Sequence, residues 1–541
     1  MSLSPLEAFR KPPTASEFAR EAALRNRKFA FIAAALAVLC GLSMVAVEAG
    51  SFVLPIVLLV LVTVSYMTWR YSQTVLFFTF AAVCLVEIFQ TGFSDAVTDR
   101  IPFFWNVNTI IQTYGNVNFK AVPFNLFEVF LVSAGICSLM KAVYWRNASI
   151  RLGPLFTPIA AYLAFVVMGF VIGMATGGDF KIALQETRAQ FYFLIAYLMA
   201  LNLVKERRHV TALCWITVVC IGLKGILYTF RRYVTLSGQP LPDQGVGSHE
   251  EAFLFDAFVL LLASFALCKV YPRMQAVMWA LVPLVIAGNL ATNRRAATAA
   301  LVVAIPVLIV ASYRALPRRR TVAAVVGIVL AIVSPIYYQA FKNSNSMWAQ
   351  PARAIRSHFQ PDARDLSSNM YRDAEDANIM ATIKSKPVLG YGYGKRFLHV
   401  VPIADISNLY DWWDILPHNQ ILWVWMRVGT IGFWFFWMMI VSITLYLCYT
   451  LRDEGTDDHT KAVALFALVL VGVLLMFGLL DLQLSNFRDM LFTGFWIGIV
   501  VAMKGFPRED GPAAEPAAEP AAAAAAVSAR AARSGRGLGR P

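Results

Sequence analysis

Long runs of apolar residues recur along almost the whole chain, and they constrain its fold more than any other feature. Hydrophobic residues make up 58% of the 541 residues and charged residues only 15%, against roughly 25% charged residues in an average soluble domain. So few charged groups cannot cover a protein of this size in water, and lipid must therefore contact most of its surface. This composition excludes a soluble enzyme, a disordered scaffold and a disulfide-stapled secreted module.

The apolar runs have the length of membrane-spanning helices. Such a helix needs about 20 mostly apolar residues, and the chain offers about fourteen such segments. The runs are too long and too continuously apolar for barrel strands. We therefore predict an all-α polytopic membrane protein with about 12 to 14 transmembrane helices and one long loop on the outer side. The segments are approximately 29–48, 51–69, 73–92, 121–140, 154–175, 189–204, 210–230, 251–269, 275–292, 297–313, 321–340, 420–450, 461–480 and 489–503.

Basic residues cluster in every second loop, and this pattern sets the predicted orientation. Lysine and arginine favour the cytoplasmic side, so both termini are predicted to be cytoplasmic. The net charge of +14 then reflects orientation, and no nucleic-acid partner is predicted. The predicted regions are a basic cytoplasmic segment (1–28), transmembrane helices 1 to 11 (29–340), the long outer loop (341–418), the C-terminal transmembrane helices (419–503) and a disordered cytoplasmic tail (504–541).

Some arginines contradict this orientation rule and are therefore candidates for function. They fall at or near the predicted outer ends of helices, where an unpaired arginine costs a few kcal/mol if it is partly buried. The simpler alternative is that their side chains extend to lipid headgroups. These residues are Arg188, Arg231, Arg232, Arg294 and Arg295.

Three motifs lie in or beside the long loop. The first is Arg372 followed by KPVLGYG at 386–392, and the second is HNQIL at 418–422 followed by GTIG at 429–432. The third is NRRAA at 293–297, at a predicted outer helix end. A loop of this length in a compact protein is usually functional. Its glycines lack the spacing and the βαβ context of a phosphate-binding loop.

These motifs resemble those of the O-antigen ligase and polymerase superfamily, membrane-integral glycosyltransferases with a GT-C-like helical fold. The family has an arginine and a P-L-x-G-x-G turn, an H-N-x-x-L…G-x-x-G signature, and an S-R-[GA] motif at an outer helix end. Either Arg294 or Arg295 matches the arginine of that last motif. Arg427 departs from the pattern, because a neutral or acidic residue is expected at its helix position.

The resemblance implies a reaction. A glycan moves from an undecaprenyl-pyrophosphate carrier to an acceptor hydroxyl at the periplasmic face, without a metal or another cofactor. The acceptor is the lipid A core for a ligase and a growing glycan for an O-antigen or exopolysaccharide polymerase, and the motifs do not choose between them. Besides donor and acceptor, the implied partners are membrane lipids. The implied location is the bacterial inner (cytoplasmic) membrane, so the long outer loop (341–418) is a periplasmic loop.

Site residues follow from that reaction. Arginine pairs with phosphate oxygens through its planar fork, and a histidine is the usual base for a hydroxyl group. His418 is therefore the predicted catalytic base, with a merely interfacial histidine at a helix start as the alternative. The predicted substrate-binding residues are Arg188, Arg294, Arg295, Arg372, Asn419 and Glu128.

Three alternatives stay open. Asp373, Glu375 and Asp376 have the oxygen ligands of a cation site, but they also suit a solvated helix. Intramembrane charges, among them Glu87 and Lys224, would suit a transporter or flippase of the lipid-linked oligosaccharide. Against a transporter, the two halves show no repeat and the distinctive residues gather on one face. A scaffold in an envelope assembly, the third possibility, would not need the outer arginines.

Overall fold

The computed structural model describes residues 73–88, 97–115, 124–145, 150–239, 241–242, 245–344, 346–408 and 410–506, with isolated positions between 41 and 71 and at 93. These residues form α-helices and no β-strand, which confirms the all-α prediction for them. The helices are α1 (Gln73–Leu85), α2 (Val107–Gly115), α3 (Leu126–Trp145), α4 (Phe156–Ala175), α5 (Phe180–Leu203), α6 (Arg207–Phe230), α7 (His249–Cys268), α8 (Pro272–Ala291), α9 (Arg295–Ala315), α10 (Arg320–Phe341), α11 (Gln350–Phe359), α12 (Ala363–Ser385), α13 (Gln420–Arg452), α14 (Asp458–Leu480) and α15 (Phe487–Met503). A π-helical turn (Arg231–Thr235) extends α6.

Eight helices among the described residues are long and apolar enough to cross a membrane, so the chain is a multi-pass membrane protein. They are α4, α6 with its π-helical turn, α7, α8, α9, α10 with the short turn before it, α13 and α14. Helices α1, α3, α5 and α15 also form at predicted spans. The predicted segment 1–28, nearly all of 29–48, most of 51–69 and most of the tail 504–541 lie outside the described residues. The total of about 12 to 14 spans therefore stays a prediction.

Small residues bring α15 close to α5. A Cβ atom at Gly494 would lie 2.4 Å from the carbonyl oxygen of Phe193, and one at Gly498 would lie 2.5 Å from that of Tyr197. Gly494 and Gly498 form a G-x-x-x-G pair, the spacing that lets two helix backbones approach in a membrane. A side chain at either position would push the two helices apart.

Charged residues inside the bundle are paired with each other. Glu87 and Lys224 form an ion pair, Lys224 lies 3.1 Å from Glu251, and Glu251 also pairs with Arg488. All four side chains are at most 1% exposed. Asp256 is buried too, and its carboxylate accepts a hydrogen bond from Asn289. These intramembrane charges therefore face the interior of the bundle.

The segment between α10 and α13 carries α11, α12 and a glycine-rich turn. The Asp362 side chain caps α12 by accepting a hydrogen bond from the backbone N–H of Asp365 at 2.8 Å. After α12 comes the glycine turn (residues 387–394), in which Gly390, Gly392 and Gly394 have φ between 80° and 87°. Glycine adopts this left-handed conformation without steric cost. The turn folds back onto α13 and the end of α4.

Candidate functional site

A cavity of about 1240 Å³ lies where several helix ends meet α11 and α12. Its lining comes from the start of α9, the start of α13, the π-helical turn after α6 and the end of α14. Five of the predicted site residues line it together, although they are far apart in sequence. These residues are Arg294, Arg295, Arg372, His418 and Asn419.

A break in α13 holds the glycine turn in place. Gly429 has φ 70° and ψ 179°, so the helix is interrupted there. The backbone N–H of Thr430 donates to the carbonyl oxygen of Pro387 at 2.8 Å, and that of Tyr391 donates to the carbonyl oxygen of Met426 at 2.7 Å. The glycine turn and the G-x-x-G segment are therefore bonded to each other. Backbone groups that the break releases from α13 find their partners in the turn.

The buried contacts of Arg427 account for its departure from the family pattern. Its guanidinium is fully buried and lies 2.7 Å from the carboxylate of Glu186, which is equally buried. Arg427 also donates to the carbonyl oxygens of Gly392 at 2.9 Å and Ile415 at 3.0 Å. The Glu186 carboxylate accepts a further hydrogen bond from the Trp423 indole. The ion pair thus connects α5, α13, the glycine turn and the segment that leads to His418.

Two consecutive carboxylates of α12 contact the consecutive residues His418 and Asn419. Glu375 accepts the backbone N–H of His418 at 2.9 Å, and its carboxylate lies 3.1 Å from His418 Nδ1. Asn419 Nδ2 donates to Asp376 at 3.1 Å, while the Asn419 side-chain oxygen caps α13 by accepting from the Leu422 N–H. Two carboxylates of the possible cation site therefore have other partners. Within the described residues, no group of three histidine, cysteine or acidic residues is arranged to hold a metal ion.

The walls of the cavity carry opposite charges. Arginines come mainly from the π-helical turn, the start of α9 and α11, whereas α12 supplies most of the acids. Burial raises the pKa of Asp376, and the charges of Glu375 and Asp373 raise it further. As the pH falls towards the raised pKa of Asp376, this carboxyl group is protonated and the net charge of the cavity becomes more positive. Among the described residues, the arginines of the lining are Arg232, Arg294, Arg295, Arg353, Arg356 and Arg372.

Arg295 is tied to α11 and α12. Its Nη1 atom lies 2.7 Å from the Asp365 carboxylate and 3.4 Å from the Ser357 hydroxyl. Asn293, two residues earlier, has φ 56°, and its side-chain oxygen accepts a hydrogen bond from Gln350 at 3.1 Å. This left-handed residue turns the chain between α8 and α9, so that Arg294 and Arg295 both reach the cavity.

Arg188 and Glu128, by contrast, do not line this cavity. They pair with each other at 3.0 Å, and their side chains are only 6% and 15% exposed. Arg188 also donates to the Gln185 side chain at 2.6 Å, and Tyr192 donates to Glu128 at 2.8 Å. The structure therefore places these two predicted binding residues in a buried pair of their own.

Several residues that line the cavity were not among the predicted site residues. Arg232 was visible as an outer arginine, but nothing in the sequence separated it from Arg231, which is buried near Glu87. Arg353 and Arg356 gave no signal beyond their charge in a long polar loop. The contact between Glu375 and His418 joins residues that are 43 positions apart, and no local pattern marks such a contact.

Residues 276–437 match the family model for O-antigen ligase. This confirms the resemblance to the O-antigen ligase and polymerase superfamily. The match extends from α8 into α13 and includes the five predicted residues that line the cavity. It indicates a membrane enzyme that transfers glycan, with lipid-linked glycans and membrane lipids as its partners. No curated protein matches the chain.

Proposed function

We propose that the protein is a glycosyltransferase that moves a glycan from an undecaprenyl-pyrophosphate carrier to an acceptor hydroxyl at the periplasmic face of the inner membrane. The observation that carries this proposal is the cavity in which His418 lies together with Arg294, Arg295 and Arg372. This transfer needs a basic group that takes the proton of the acceptor hydroxyl and cations that bind the leaving pyrophosphate.

The arginines supply the binding energy for the pyrophosphate. Arg372 makes no hydrogen bond or ion pair within the described part of the chain, so its donors are available to a ligand. Negative charge accumulates on the pyrophosphate as the sugar leaves, and the arginines therefore stabilise the transition state more than the bound donor. Pyrophosphate is a good leaving group in this setting, and the transfer needs no general acid.

His418 acts on the acceptor. Its ring lines the cavity and is 30% exposed. In the proposed step, His418 Nε2 takes the proton of the acceptor hydroxyl while the oxygen forms a bond to the anomeric carbon. The bond between that carbon and the pyrophosphate oxygen breaks, and the electron pair leaves with the polyprenyl pyrophosphate. His418 then releases its proton to solvent.

The apolar part of the lining suits a donor with a lipid tail. Val302 and Val303 on α9 and Leu479 near the end of α14 line the cavity and are 39% to 51% exposed. Apolar side chains and charged groups thus share one cavity, as a headgroup with an attached hydrocarbon chain requires. A water-soluble sugar nucleotide would gain nothing from these valines.

The experiment is a glycan profile of a deletion strain that is complemented with variants. We expect His418→Ala to abolish transfer and Arg372→Ala to reduce it strongly, whereas His459→Ala serves as the matched control. His459 is 43% exposed and does not line the cavity. Polymer left on the carrier would identify a ligase, and single repeat units on the acceptor a polymerase. Full activity of both cavity variants would refute the enzyme proposal and favour transport of the lipid-linked glycan.

A further inference from the structure

Glu375 contacts the proposed base, and within the described residues its carboxylate has no hydrogen-bond partner other than His418. Its side chain is 1% exposed. Both carboxylate oxygens lie within 3.3 Å of His418 Nδ1, and one of them also accepts the His418 backbone N–H at 2.9 Å. A buried carboxylate needs hydrogen bonds to offset the loss of water. Here His418 supplies all those observed, so the two residues form a single unit.

From this geometry we infer that Glu375 is a positioning residue for transfer, which sets the tautomer and the orientation of His418. An ionised carboxylate accepts hydrogen bonds and donates none. The proton of the neutral imidazole therefore stays on Nδ1, which leaves the lone pair of Nε2 available to the acceptor hydroxyl. This inference rests on the proposed role of His418 as a base.

Glu375 acts in two ways during transfer. Before the reaction it holds the ring, since the backbone contact fixes the start of α13 and the side-chain contact fixes the imidazole. The ring of Tyr371, one helical turn before Glu375 on α12, packs edge-on against the imidazole at 5.9 Å and further limits its rotation. When Nε2 takes the acceptor proton, the imidazolium becomes positive beside the Glu375 charge. The carboxylate therefore stabilises the charge that develops in the transition state.

The pH dependence of activity is the readout that separates this role from a structural one. Removing the Glu375 charge disfavours the imidazolium, so activity should persist to lower pH before His418 is protonated. The other charged and titratable groups around the ring stay in place in such a variant. Tyr371 packs against the ring, and the charge of Asp414, before α13, acts on Tyr371. The others line the same cavity: Arg372, Asp373 and Asp376 on α12, Arg294 and Arg295 at the start of α9, and Asp481 after α14.

The test compares Glu375→Gln, Glu375→Asp and His418→Ala in a transfer assay with a purified lipid-pyrophosphate donor. Glutamine keeps the shape but its amide also donates, and it therefore permits the wrong tautomer. We expect Glu375→Gln to lower kcat by about 10²- to 10⁴-fold with little change in donor KM, and to move the acidic limb of the pH profile to lower pH. Glu375→Asp keeps the charge and should recover part of kcat.

Controls separate this inference from the proposed function. Asp405→Asn removes an exposed loop carboxylate whose hydrogen-bond partner among the described residues is Ser407, and it should leave kcat unchanged. Full activity of His418→Ala would overturn the proposed base and this inference with it. An inactive His418→Ala with a fully active Glu375→Gln would overturn the Glu375 role alone. Equal losses in Glu375→Gln and Glu375→Asp with an unmoved acidic limb would show a merely structural residue and also overturn it.

Discussion

Arg427→Met tests how the site is held together. In the native protein Arg427 contacts Glu186, Gly392 and Ile415 with both terminal nitrogens, and its side chain is 0% exposed. Methionine fills much of the same space but donates no hydrogen bond. The substitution leaves a buried Glu186 carboxylate that keeps only the donors of Trp423 at 3.0 Å and Gly394 at 2.6 Å.

The magnitude follows from the unpaired charge. Removing one partner of a buried ion pair typically costs about 3–5 kcal/mol, because the remaining charge stays out of water. Two buried carbonyl oxygens lose a donor as well, at about 1–3 kcal/mol each if no other donor replaces it. These costs are not additive, since all three groups share one guanidinium. We therefore expect a loss of about 3–5 kcal/mol for Arg427→Met.

The double variant Glu186→Gln/Arg427→Met supplies the control, because it removes the uncompensated charge. Its free energy of unfolding should exceed that of Arg427→Met by about 1 kcal/mol or more. The assay is denaturant or thermal unfolding of the detergent-purified protein, followed by the near-UV signal of its tryptophans. Equal stability of wild type and Arg427→Met, or a double variant less stable than Arg427→Met, would refute this reasoning.

Two further predictions concern the charges of the cavity. Asp365→Asn frees Arg295 from a partly exposed ion pair that is worth up to about 1 kcal/mol. Inorganic pyrophosphate should therefore bind up to about fivefold more tightly in isothermal titration. Weaker binding would contradict a phosphate-binding role for Arg295. The pKa of Asp376 is raised by burial, so this carboxyl loses its negative charge as the pH falls from neutral through that raised value, and pyrophosphate binding should strengthen over this interval. Asp376→Asn should bind more tightly at neutral pH and lose that part of the pH dependence; an unchanged slope would count against the assignment.

The sequence predicted the helices and the grouping of the cavity residues, but it did not predict which residues those side chains contact. The apolar runs predicted the helices because length and composition decide which segments cross a bilayer. The motifs predicted that Arg294, Arg295, Arg372, His418 and Asn419 would share one site. The arginines at helix ends were recognisable, since their position opposes the orientation rule.

Pairings between distant residues were not predictable in this way. Arg188 and Glu128 were both expected to contact substrate, but their mutual ion pair depends on how α3 packs beside α5. Glu375 belongs to an acidic cluster. Such a cluster has the same sequence pattern whether it lies on a solvated helix, binds a cation or contacts a histidine. Only the approach of α12 to the start of α13 assigns it to His418.

The most direct test of the proposed function is a single-turnover transfer assay with purified protein, a lipid-pyrophosphate-linked glycan and an acceptor. We predict that wild type and His459→Ala form product. His418→Ala should form none, while it still binds inorganic pyrophosphate with nearly the native affinity, because the arginines of the cavity are unchanged. Product formation by His418→Ala at the native rate would contradict the central claim that this cavity carries out glycan transfer with His418 as its base.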